Sequence, residues 1–256
     1  MLKGLSVFMR CCFRCVFLCV LVMVAGCAQQ AGRFQLKDLA KSDVDLVADL
    51  HRQAVFSALK DLNTKLYRLN PVQISRGAEY SVAARIGSKP LSEPQASKDW
   101  IEARWQQLEA SQGGLYGFEE LSNTRSIESM RLAFDEGFHG DRVFALMAGL
   151  YGMFDEAYGF KREFYLLDSV EGQKLYNSAR NVEVMVWLLR SKRASDGSPL
   201  LFSDSMSAEV VNLSFERLFG KLIAHQDMMS KIMQGQTQRA VNTVAHGLVS
   251  MTFIPL

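Results

Sequence analysis

The residue types best able to act on a substrate or hold a metal are thinly spread along this chain. Its four histidines, His51, His139, His225 and His246, form no His-Glu-x-x-His and no His-x-His element. Asp135 and His139 stand four apart, a helical spacing that could offer both side chains to one ion. His139, however, sits between Phe138 and Gly140, where a helix should be ending, so a C-terminal cap is the expected role. His225 and Asp227, two apart, would not face each other on a helix. The sequence has no Gly-x-Ser-x-Gly elbow for a nucleophilic serine, no Gly-x-Gly-x-x-Gly loop and no P-loop. No metal, cofactor or catalytic residue is expected on these grounds, and the chain reads as a binding protein before an enzyme.

Binding chemistry has a better foothold in two segments. Tyr158-Gly159-Phe160-Lys161-Arg162-Glu163-Phe164-Tyr165 and Lys174-Leu175-Tyr176-Asn177-Ser178-Ala179-Arg180-Asn181 interleave aromatic rings with cations and amides. Such a mixture can hold an anionic or sugar-like ligand through arginine forks and ring stacking. Lys161, Arg162, Tyr176, Asn177, Arg180 and Asn181 are therefore the candidate ligand-binding residues. The competing reading is a helix-helix corner whose rings are core and whose charges are solvated, and both stay open here. Met228, Met229 and Met233 read as adaptable core, because thioethers fill irregular gaps.

Cys12 and Cys15 are spaced like a redox or zinc pair. Yet all five cysteines, Cys11, Cys12, Cys15, Cys19 and Cys27, fall at the very start of the chain. Residues 1–14 carry Lys3, Arg10 and Arg14 with no acid, and the apolar run Cys15 to Ala25 is too short for a bilayer core of about 30 Å. This is the layout of a secretory signal peptide. Its end, Val24-Ala25-Gly26-Cys27, resembles the lipobox of bacterial lipoproteins. The resemblance implies cleavage after Gly26, acylation of the Cys27 thiol and amino group, and firm anchoring by several acyl chains. Ala28 in place of aspartate implies sorting to the outer membrane, with the domain facing the periplasm. An uncleaved anchor with Cys27 as an ordinary thiol is the competing reading, and it gives the small residues before Cys27 no role.

Removal of residues 1–26 would leave 230 of the 256 residues. Losing Lys3, Arg10 and Arg14 from the 29 basic residues leaves 26 against 27 acidic ones, a net charge of −1 in place of +2. A near-neutral chain without basic runs lacks the electrostatic footprint of a nucleic-acid binder. With 48% hydrophobic and 22% charged residues, the composition is globular.

Elements able to position these side chains are helical. After a tether at 27–36, one all-α domain of about seven or eight helices is expected over 37–256. The first helix is bracketed by Ser42 and Pro71, with Val47, Leu50, Ala54, Ala58, Leu62, Leu66 and Leu69 on one face. Gly77, Gly87, Pro90 and Pro94 mark a long loop near 72–97. Helices are expected near 98–112, 126–138 and 143–154, within 164–189, from Ser207 to a bend at Gly235, and over 237–250. Ala145 with Gly149 and Ala148 with Gly152 suit close helix packing. Ser195-Asp196-Gly197-Ser198-Pro199 is a turn, and the tail 251–256 is apolar.

The lipobox, the Lys65-Leu66-Tyr67-Arg68-Leu69-Asn70-Pro71 segment and the segment ending at Asn181 together resemble a group of proteobacterial lipoproteins of unassigned activity. The expectation is a lipid-anchored protein that binds an envelope protein partner, with the membrane contacted through Cys27. The rival is a ligand-binding protein or envelope-modifying enzyme with a pocket near Arg180. A deep pocket converging on Arg180 and Asn181 would favour the rival.

Overall fold

The computed structural model describes residues 41–80, 94–111, 117–165, 168, 170–203 and 213–237. The signal segment, Cys27, the tether, the helix expected over 237–250 and the apolar tail lie outside the described residues. Among those described, seven α-helices follow one another: α1 (Asp43–Leu69), α2 (Val72–Tyr80), α3 (Pro94–Ala110), α4 (Ser126–Ala133), α5 (Arg142–Ala157), α6 (Gly172–Ser191) and α7 (Ser214–Thr237). A short 3-10 turn, Glu119–Leu121, precedes α4. The one β-type pairing among the described residues is an isolated antiparallel bridge between Arg193 and Pro199. The protein is all-α, as its periodicity implied. No described helix is long and apolar enough to cross a membrane.

α5 is the hub. Residues 142–155 and Ala157 are all buried, so the helix is apolar on every side, as a helix surrounded by others must be. Asp141 accepts the Phe144 N–H at 2.9 Å and caps its start. α4 packs closely along it at Gly149. A Cβ there would lie 2.6 Å from the Met130 nitrogen and 2.7 Å from the Ser126 carbonyl oxygen, and would also strike the Met130 side chain. α6 packs against α7, and α1 against both α7 and α5. A second, smaller core gathers Ala48, Tyr158, Phe164, Leu175, Met229 and Met233. Met229 and Met233 therefore fill core as expected, whereas Met228 is exposed.

α1 begins at Asp43, with Asp43 and Asp45 in its first turn where the helix dipole favours acids. Its C-terminal half buries Ala58, Leu62 and Leu66, as the spacing implies, but its N-terminal half does not follow. Leu50 is 64% exposed, while Asp45, Asp49 and Arg52 are buried. Arg52 reaches Asp155 of α5 at 2.9 Å, and Asp49 accepts the Phe164 N–H at 2.9 Å. Pairing lets charges replace apolar residues on the inward face.

Two expected features are corrected. The loop near 72–97 is not continuous, since its first nine residues form α2 and α3 already starts at Pro94. Pro71 lies in the turn that starts α2, where the Gln73 and Ile74 N–H groups donate to Asn70 and Pro71 carbonyls at 3.0 and 3.1 Å. Pro94 opens a helix, a position where its missing N–H costs little. Gly77 does not break α2; a Cβ there would come within 2.7 Å of Asp141 Oδ2 and 2.9 Å of the Trp100 ring. Likewise Gly235 does not bend α7, which runs on to Thr237.

Candidate functional site

The start of α5 fixes two neighbouring residues in opposite directions. Asp141 faces inward, where the Tyr67 hydroxyl donates to it at 2.6 Å and Arg104 at 3.3 Å. Arg104, wholly buried, also donates through both terminal nitrogens to the Glu120 carboxylate at 2.7 Å, and its guanidinium lies 3.4 Å from the Phe144 ring centroid. Burial pushes the Asp141 carboxyl up, while the charge of Arg104 and the hydrogen bonds from Tyr67 and the Phe144 N–H pull it the other way. Burial also raises Tyr67 well above its ordinary value, so its hydroxyl stays a donor. Buried at Arg104, Tyr67 and Asp141, this network joins α1 and α3 to α5.

Arg142 faces the other way. Its Nη1 donates to the Ala133 and Asp135 carbonyls at 3.0 and 2.5 Å, and its Nη2 to the Glu136 carbonyl at 3.2 Å. It thereby caps the chain leaving α4, a task the sequence reading gave to His139. Its backbone N–H donates to Gln73 Oε1 at 2.8 Å, tying α5 to α2.

Arg142 forms one wall of an open cleft of about 380 Å³, set between the α1–α2 corner, the α4–α5 connection and the 194–202 segment. Arg76 of α2 and His139 line it, and so do Glu136, Asp196 and Phe202. Asn70 fastens the far wall: its side-chain amide donates to the Phe202 carbonyl at 2.8 Å, and its side-chain oxygen accepts the Phe202 N–H at 2.8 Å. Phe202 remains 40% exposed and also lines a smaller cleft of about 210 Å³ with Arg190 and Arg193.

The charges in the larger cleft are not equivalent. Glu136 accepts the Ser195 hydroxyl and, at 2.6 Å, the Ser195 N–H. Asp196 accepts the Ser198 hydroxyl and N–H at 2.6 and 2.8 Å. These bonds hold both carboxyls below the usual carboxylate range. Burial lowers Arg142, and the positive charge of Arg76 lowers it further. Arg76 makes no hydrogen bond or ion pair among the described residues. Two cations repelling each other, one of them unpaired, favour an incoming anion. The Ser198 hydroxyl is engaged by Asp196, and no hydrogen bond among the described residues joins it to His139.

The six residues singled out from the sequence lie away from both clefts, and most are engaged by neighbours. Lys161 pairs with Asp168, and Arg162 donates to the Glu109 carbonyl at 2.9 Å. Arg180 binds Asp227 at 2.7 Å and Glu183 at 2.9 Å, with its guanidinium 5.1 Å from the Tyr176 ring centroid. Asn177 accepts from Gln173 at 2.7 Å, and Asn181 is wholly buried. None of the six lines either cleft. Arg76, Arg142, Phe202 and the Asn70 clasp escaped sequence reading because they are drawn from four separate stretches. The turn at 195–199 and His139 were the local signals at this site. No family model, curated protein or solved structure matches the chain.

Proposed function

We propose that this is a lipid-anchored envelope lipoprotein, held by acylated Cys27 in the inner leaflet of the outer membrane, that works in the periplasm by binding a protein partner. The lipobox Val24-Ala25-Gly26-Cys27 supports the anchor. The observation that carries the binding role is Arg76, a cation unpaired among the described residues that lines the cleft beside Arg142. Exposed Phe202 supplies an aromatic anchor at the rim, a residue type enriched where interfaces draw their energy. The partner is thus a segment that presents a carboxylate next to an apolar side chain.

A fluorescent peptide alternating glutamate and leucine should bind the full chain, with affinity falling as salt rises and falling at least about tenfold in Arg76→Glu. Unchanged binding in Arg76→Glu would remove the cleft from consideration. The anchor is tested separately by fatty-acid labelling, which Cys27→Ser should abolish.

A further inference from the structure

His51 of α1 and His225 of α7 meet across the helix pair although 174 residues separate them in the chain, and their Nδ1 atoms lie 3.1 Å apart. The rings stand at 82° to each other with centroids 5.0 Å apart, so they approach edge-on and do not stack. Both are partly exposed, which leaves a route from solvent. Two imidazole nitrogens bound to one tetrahedral zinc are about 3.3 Å apart, and cis positions of a square-planar or octahedral ion about 2.9 Å. The observed separation falls between these values.

We propose that His51 and His225 form a divalent transition-metal site, taking Zn2+, Cu2+ or Ni2+ through their two Nδ1 atoms and clipping α1 to α7. This is independent of the cleft, which uses neither histidine. Metal-free, one Nδ1–H donates to the other Nδ1. Metal binding moves that proton to Nε2 of the same ring, so both Nδ1 lone pairs face the ion and the neutral pair releases no net proton. Burial pushes both imidazoles below their ordinary value, and the charges of His51 and Lys221 push His225 further, favouring the neutral form that ligates metals. Among the described residues no group of three or more histidines, cysteines and carboxylates surrounds the pair, so water takes the remaining positions. Mg2+ and Ca2+, which require oxygen ligands, are excluded.

The test is thermal unfolding of the full chain near pH 7.5 with saturating ZnCl2. The expected rise in midpoint is about 5 °C. MgCl2 should give none. His51→Gln and His225→Gln should each abolish the zinc shift, while His139→Gln and His246→Gln retain it. Electron paramagnetic resonance of the Cu2+-loaded natural chain, which needs no variant to fold, should show superhyperfine coupling to two nitrogens. A zinc shift retained in both variants, no zinc shift in the natural chain, or coupling to fewer than two nitrogens would overturn the site.

Discussion

The Tyr67 hydroxyl and the Phe144 N–H share one acceptor: Tyr67 binds Asp141 Oδ2 at 2.6 Å and Phe144 binds Oδ1 at 2.9 Å. One buried carboxylate therefore caps α5 and joins it to α1. Tyr67→Phe should cost about 1–3 kcal/mol, because a buried acceptor loses a donor while the packing volume is kept. Asp141→Ala should cost more, about 3–5 kcal/mol, since it removes the cap and one of the buried Arg104 partners. Urea unfolding midpoints check both, and a smaller loss for Asp141→Ala than for Tyr67→Phe would contradict the network.

Arg52 and Asp155 form a buried pair between α1 and α5, with side chains 9% and 5% exposed. Truncating one partner strands the other charge. Arg52→Met alone should cost about 3–5 kcal/mol, whereas Arg52→Met with Asp155→Leu should recover most of that loss. The double-mutant cycle decides it, and additive losses would show that the pair does not act as a unit.

Gly149→Ala is expected to destabilise by about 1–3 kcal/mol, because the added methyl meets the backbone of α4 at Met130 and Ser126. Gly235→Ala, where a Cβ would meet nothing within 4 Å, should be neutral or slightly stabilising in the same assay.

Asn63 is 1% exposed on α1, and among the described residues neither Nδ2 nor Oδ1 has a hydrogen-bond partner. Asn63→Leu removes that desolvation cost at similar volume and should raise stability by about 1–2 kcal/mol. A loss of stability would mean that the amide is satisfied by solvent.

The two histidines also set a pH dependence in metal-free protein. Both have folded values below the ordinary 6.5. Between the lower folded values and 6.5 the unfolded chain binds more protons than the folded one, so stability rises with pH. The contribution is complete above 6.5 and is lost as pH falls from there through the folded values. Replacing both histidines by glutamine should flatten the stability profile below pH 6.5, measured with a chelator present. An unchanged slope would show that they titrate alike in both states.

Helices were legible in the sequence where an apolar period ran unbroken, as in the C-terminal half of α1, or where an apolar stretch was too short to span a membrane, as in α5. The period failed at Asp45, Asp49 and Arg52, because a pattern of side-chain types treats every charge as outward, and burial by pairing depends on Asp155 and the Phe164 backbone far along the chain. It failed again at Gly77, where glycine reads as a breaker but serves a close approach to Asp141 and Trp100. The cleft and the histidine pair were illegible for the same reason. Arg76 and Arg142, or His51 and His225, become neighbours only through the fold, and no local spacing carries that information.

Asn70 behaves as a single rung of β-ladder inside a helical protein. Its amide offers a donor and an acceptor with the spacing of a peptide group, and Phe202 answers with its own N–H and C=O. Both bonds lie on one rigid amide plane whose Nδ2 also donates to the Leu66 carbonyl at 2.9 Å, so the 194–202 wall is tied directly to the end of α1. A partner that displaced Phe202 would have to break both bonds, and so would pull on the C-terminal turn of α1.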